Sequence, residues 1–194
     1  MLDLRGRSRL APFIDPIASL LGRMRLTPTI ITVLGLLVTI VGGVLIAAGH
    51  YVAGASVSAA GSLLDALDGP LARLQGTASD KGAFIDTMAD RFGEVAVLAG
   101  LAFSLRTDET GLMLCVFALA SSLLIPYVRS KAESWGAEGR GGWMGRAERV
   151  ILVLLGVGLA GFGLPVLHGM LWLFVTLTAF TVAQRIRNTW RQLD

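Results

Sequence analysis

The sequence predicts an all-α integral membrane protein, with six transmembrane helices preceded by an N-terminal interfacial amphipathic helix, in one domain over residues 1–194. Three observations carry that reading. Apolar runs of about 20 residues, the length that crosses a bilayer as a helix, recur along the chain. Only 16% of the residues are charged and 54% are hydrophobic, against roughly 25% charged in a typical soluble domain. The basic residues gather almost wholly on one side of the apolar runs. The 24 glycines fit the same class, because small residues let membrane helices approach closely. Cys115 is the single cysteine, so no intrachain disulfide can form.

Residues 1–26 make the interfacial segment. The basic start, "MLDLRGRSRL", is followed by no small-residue cleavage site and is not read as a signal peptide. Residues 11–25, "APFIDPIASLLGRMR", are too short and interrupted to span, and suit a helix lying in the membrane interface. Residues 27–194 form the six-helix bundle. The first span is "TIITVLGLLVTIVGGVLIAAG", 29–49. The second starts near Tyr51 and reaches span length only by continuing through Asp65 to about Leu74. The third runs from Lys81 to Leu105, the fourth from Gly111 to Ser134, the fifth from Arg146 to Gly163 and the sixth from Pro165 to about Arg187.

With six spans, one side collects Arg5, Arg7, Arg9, Arg23, Arg25, Arg73, Lys81, Arg91, Arg129, Lys131, Arg140, Arg146, Arg149, Arg185, Arg187 and Arg191. Of the 17 Lys and Arg, only Arg106 lies in a loop on the other side. The positive-inside rule then turns both termini and the 65–90 region to the cytoplasm. The isoelectric point near 9.6 reflects this asymmetry and points to no nucleic-acid partner. A basic cytoplasmic face attracts anionic membrane lipids instead.

The stretch "DALDGPLARLQGTASDKGAFIDTMAD", 65–90, carries the chemistry. Asp65 and Asp68 share one helix face, and so do Asp86 and Asp90. Gly76 and its polar neighbours suit a turn that folds the first pair against the second. A lone aspartate at a helix end is ordinarily solvated and ion-paired. Four that converge repel one another, and hard carboxylate oxygens relieve that by holding Mg²⁺, Mn²⁺ or Ca²⁺. Gly69, Ala72 and Gly82 leave room for a ligand at the backbone, and Arg73 offers a planar fork for phosphate. Metal, arginine and small residues together suit phosphoryl chemistry, where positioning and charge neutralisation supply most of the rate. Pro70 is expected to kink the helix at Ala66, either for packing alone or to turn the carbonyl of Ala66 or Asp65 toward a metal. Intramembrane carboxylates also mark ion channels and transporters, but those place polar groups through the bilayer depth, whereas here the acids gather at one end.

Asp65-x2-Asp68-Gly69-x2-Ala72-Arg73-x8-Gly82-x3-Asp86-x3-Asp90 resembles the complete signature of the CDP-alcohol phosphotransferase family, and "TPTIITVLG", 27–35, resembles the entry into the first helix of many members. The resemblance implies transfer of a phosphatidyl group from CDP-diacylglycerol to an alcohol, with release of CMP. It implies two Mg²⁺ ions per site, with Mn²⁺ as a substitute, held by Asp65, Asp68, Asp86 and Asp90. Asp90 would be the catalytic base, and Asp68, Gly69, Ala72, Arg73 and Gly82 would hold the CDP-lipid. A homodimer is implied, in the cell (inner) membrane of a prokaryotic-type cell, with the active site facing the cytoplasm.

A second cluster, Arg129, Lys131, Arg146, Arg149 and Arg185, lies at the ends of the last three spans on the same side. Such cations anchor a membrane protein, or they ring a pocket for a phosphorylated alcohol. "YVRSKAE", "GRAERVI" and "VAQRI" resemble the phosphatidylinositol-phosphate synthase branch of the family, which implies that these residues bind the acceptor's phosphate. Arg129 and Lys131 stand in the reverse of the order expected there, and glycerol 3-phosphate, the acceptor of the phosphatidylglycerophosphate branch, remains the alternative to inositol 1-phosphate. Glu94 supports the site or pairs with Arg91.

Overall fold

The computed structural model describes residues 26–139 and 141–193. The expected interfacial helix at 11–25, the five arginines before residue 26 and Arg140 lie outside the described residues. Within them the chain forms seven helices: α1 Pro28–Ala47, α2 Tyr51–Asp65, α3 Asp68–Gln75, α4 Asp80–Ser104, α5 Glu109–Ser134, α6 Arg146–Gly161 and α7 Leu167–Trp190.

The helix starts follow local chemistry. Thr27 caps α1, its hydroxyl accepting the Ile30 N–H at 3.3 Å, and Pro28 sits in the first turn, where its missing N–H costs nothing. Ser79 caps α4 through the Gly82 N–H at 3.2 Å, and Asp108 caps α5 through the Gly111 N–H at 3.1 Å. Three helices, α1, α5 and α7, are long and apolar enough to cross a membrane, with mean hydropathies of 2.7, 2.1 and 1.4 over their best windows. Their outward faces carry exposed apolar side chains, among them Leu37, Val41, Phe117 and Trp172.

One expectation is corrected. The second helix does not continue to Leu74 but breaks at Ala66–Leu67 into α2 and α3. Pro70 has no N–H to return to the carbonyl of Ala66 and would crowd it in an unbroken helix. Restarting at Asp68 places Pro70 third in α3, among the residues whose N–H groups have no intrahelical partner anyway.

α1 packs on α2 and α4, α5 on α7, and α6 on α2 and α7. Leu98, Leu101, Val157, Leu171 and Phe174 form the buried centre. The α1–α2 seam fixes where the acidic end of α2 sits. A Cβ on Gly35 would stand 2.9 Å from the Gly61 carbonyl oxygen and 3.0 Å from the Asp65 nitrogen. Only glycine permits that approach, so α1 lies directly against the end of α2 that carries Asp65.

Candidate active site

The helix break, the turn after it and the α1–α2 seam converge on one cluster. Asp65 ends α2, Asp68 opens α3 and Asp86 lies in the second turn of α4. Gly76, at φ 63°, ends α3 in the left-handed conformation, and the Thr77 N–H closes the turn on the Ala72 carbonyl at 3.0 Å. Four residues later the chain enters α4, which packs against α1. As a result one carboxylate oxygen from each of Asp65, Asp68 and Asp86 lies within 4.8 Å of the others. Hard oxygens this close fit a divalent cation of the Mg²⁺ or Mn²⁺ type with little side-chain movement.

Thr32, which sequence reasoning missed, belongs to this cluster. Its hydroxyl donates to Asp68 Oδ2 at 2.5 Å and lies 3.1 Å from the Pro28 carbonyl, which competes for the same proton. The residue is buried in α1. The only sequence signal was a polar side chain recurring inside the first apolar run.

Asp90, one turn beyond Asp86, is not in the three-oxygen cluster but is tied to it by a cation. Arg146 Nη2 lies 2.9 Å from Asp65 Oδ2 and 2.5 Å from Asp90 Oδ1. Arg91 adds a longer contact to Asp90 at 3.7 Å. Gly69 and Gly82 are half-buried but uncrowded among the described residues. Among the described residues, a Cβ at Gly69 would meet only the Arg73 guanidinium at 3.6 Å, and one at Gly82 only the Ser79 hydroxyl at 3.4 Å. Ala72 is half-buried beside them and Arg73 is exposed.

The five cations expected to form one ring divide into separate tasks. Arg146 stands among the aspartates. Arg149, 2% exposed, forks Glu94 through Nε at 2.6 Å and Nη2 at 3.1 Å. Arg129 pairs with Glu133 at 2.9 Å, and the Lys131 ammonium sits 4.6 Å above the Trp135 ring. Arg185 donates to the carbonyls of Gly141 and Ile125, both at 2.9 Å, and lies within electrostatic reach of Arg129 and Arg149. Arg146 and Arg149 thus line one cavity, Arg185 is coupled by charge to Arg129 and Arg149, and Lys131 rests on Trp135. Glu94 makes the expected pair with Arg91 at 3.0 Å and also pairs with Arg149.

A small cavity opens beneath these groups. Its polar end is Asp65, Asp90, Glu94, Arg146 and Arg149, and its apolar end includes Val153 and Phe174. At the other end of the bundle, His168 pairs with Asp108 at 2.7 Å, far along the helices from the aspartates.

Residues 25–184 match the family described as CDP-alcohol phosphatidyltransferase. The chain is 35% identical to the phosphatidylinositol phosphate synthase of Mycobacterium tuberculosis over 198 residues, covering 97% of this chain and 91% of the relative. It is 35% identical to the archaetidylinositol phosphate synthase of Methanothermobacter thermautotrophicus, covering 93% and 90%. The crystal structure of the M. tuberculosis enzyme in complex with manganese and citrate superposes with a TM-score of 0.86 at 34% identity, over 91% of this chain and 88% of that one. The same enzyme with CDP-DAG bound gives the same TM-score of 0.86, over 91% and 93%.

Proposed function

The chain belongs to the CDP-alcohol phosphatidyltransferase family, and on that premise we propose that it transfers the phosphatidyl group of CDP-diacylglycerol to a hydroxyl of inositol 1-phosphate, releasing CMP. The observation that carries this is the cluster of Asp65, Asp68 and Asp86, with carboxylate oxygens within 4.8 Å of one another, together with the uncrowded glycines Gly69 and Gly82. Relatives named for an inositol phosphate product, one of them solved with CDP-DAG bound, support the choice of donor and acceptor.

Asp65, Asp68 and Asp86, with Asp90 completing the set, would hold two Mg²⁺ ions, a reading supported by the manganese in the related structure. When bound, the ions neutralise charge on the diphosphate and on the attacking and leaving oxygens. The chain's own residues do the rest. Gly69, Ala72 and Gly82 admit the CDP moiety, and Arg73 places its fork against the diphosphate. The acceptor hydroxyl attacks the phosphorus that bears diacylglycerol, and the bond to CMP breaks. The hydroxyl proton passes to the Asp90 carboxylate. Arg129, Lys131 and Arg185 attract the acceptor's phosphate, with Arg146 at the junction of the two substrates. Arg149, held by Glu94, adds positive charge behind them.

The remaining spans would be α2, α4 and α6. α2 and α6 are about 22 and 24 Å long at 1.5 Å per residue, shorter than a hydrocarbon core of about 30 Å. Their exposed Leu63, Ile151 and Leu155 support contact with lipid. The clustering of Lys and Arg at the aspartate end supports a cytoplasmic active site in the cell (inner) membrane, and family membership supports a homodimer.

The test is CMP release from CDP-diacylglycerol and Mg²⁺ with inositol 1-phosphate, glycerol 3-phosphate, free inositol or serine offered singly, and Asp90→Asn as control. Turnover with inositol 1-phosphate that the variant loses is the expected result. Turnover with glycerol 3-phosphate alone would reassign the acceptor, and absence of CMP with every acceptor would reject the transferase reading in favour of a channel or transporter.

A further inference from the structure

Two walls of the cavity, α4 and α6, are tied together by charge. α4 and α6 do not pack closely backbone to backbone, and the cavity lies between them. Two side-chain rungs cross it: Asp90 to Arg146, and Glu94 to Arg149. Asp90 and Glu94 are one turn apart on α4, and Arg146 and Arg149 are one turn apart on α6. The rungs are therefore parallel and share both rails.

They differ in stiffness. The Arg146 side chain is 38% exposed and reaches both aspartates through the single nitrogen Nη2. The Glu94–Arg149 rung is 7% and 2% exposed, and two nitrogens meet two oxygens. Glu94 Oε2 is further held by Arg91 at 3.0 Å. A bidentate fork fixes orientation as well as distance, which a single-nitrogen contact does not. The buried rung therefore sets the register in which the exposed one must close.

We propose that Glu94 is a positioning residue: by clamping Arg149 it fixes the first turn of α6 and so holds Arg146 between Asp65 and Asp90, an inference that rests on the transferase reading above. Glu94 acts through Arg149 and takes no part in bond making. Its loss moves the Arg146 cation away from the carboxylates that face the substrates.

The test is a cycle of wild type, Glu94→Gln, Arg146→Gln and the double variant, read by CMP release and by calorimetric titration with Mn²⁺. Glu94→Gln should lower kcat about tenfold to a hundredfold, the range for a displaced group near the chemistry. In the Arg146→Gln background the same change should cost no more than about twofold, because its target is gone. Each single variant should bind Mn²⁺ about threefold tighter or more, since a cation leaves the Asp65 carboxylate, and the double variant should match Arg146→Gln. Losses that multiply in the double variant, or a Glu94→Gln protein with wild-type Mn²⁺ affinity, would overturn the assignment. If wild type turns over no acceptor, the transferase reading fails by itself, and the Mn²⁺ cycle still decides whether Glu94 governs Arg146. If Glu94→Gln does not fold, Arg149→Lys cuts the same fork while keeping the charge, and takes its place with the same expectations.

Discussion

Arg146 stands between Asp65 and Asp90, with one nitrogen 2.9 Å from the first carboxylate and 2.5 Å from the second. The contact joins the first turn of α6 to the end of α2 and the middle of α4. It places a positive charge between two carboxylates, where the proposed acceptor phosphate and metal site would meet.

Removing that charge leaves two largely buried carboxylates without their common partner. Because the arginine is 38% exposed, the cost is below that of a fully buried pair, about 1–2 kcal/mol. Arg146→Gln should lower the melting temperature of the purified protein in chelator, and saturating Mg²⁺ should restore most of the loss. Thermal unfolding with and without Mg²⁺ checks this.

Thr32 should matter to metal rather than to folding. Thr32→Val keeps the shape of the side chain and removes the hydroxyl that orients Asp68. Loss of such an outer partner typically weakens metal binding about 10- to 100-fold. The Mg²⁺ concentration giving half-maximal CMP release should rise accordingly, with the CDP-diacylglycerol dependence at saturating Mg²⁺ little changed.

The glycines should separate into two kinds. At Gly69 the protein has room for a methyl group, and alanine favours a helix by about 1 kcal/mol. Gly69→Ala should therefore fold at least as well as wild type yet lose CDP-lipid binding. Gly35→Ala would push its methyl against Gly61 and Asp65 and should destabilise the fold by about 1–3 kcal/mol. Melting temperature and CDP-lipid binding, measured on both variants, distinguish the two behaviours.

Chelation should stop turnover. CMP release should vanish in excess EDTA and return with Mg²⁺ or Mn²⁺, the ions that an all-carboxylate site prefers. Release that continues after exhaustive chelation would detach the aspartate cluster from the reaction.

The cluster of Asp65, Asp68 and Asp86 was legible in the sequence because its members are close in the chain. Asp65 and Asp68 flank a break that Pro70 announces, and Asp86 comes one turn-forming loop later, so local rules bring them together. The basic residues were less legible. Arg129, Lys131, Arg146, Arg149 and Arg185 look alike as positive charges near helix ends, but their partners sit on other helices. Whether an arginine meets Glu94, Asp90 or a backbone carbonyl depends on the rotation and register of α4, α6 and α7, which hydrophobic periodicity does not fix. Thr32 was hidden for the same reason: its significance comes from Asp68, 36 residues away. The second helix reaches span length only by running on to Leu74, and it breaks instead at Ala66–Leu67, where Pro70 was expected to kink it.

The glycine seam between α1 and α2 has a mechanical consequence. Where backbone touches backbone, as at Gly35, Gly61 and Asp65, no flexible side chain stands between the helix axes to absorb a change in their spacing. Lateral pressure that pries these helices apart would carry Asp65 with it, so the lipid matrix would act on the reaction centre through stiff contacts. Turnover in nanodiscs of graded acyl length reads that coupling, and a rate indifferent to bilayer thickness would show that the seam bears the load without yielding.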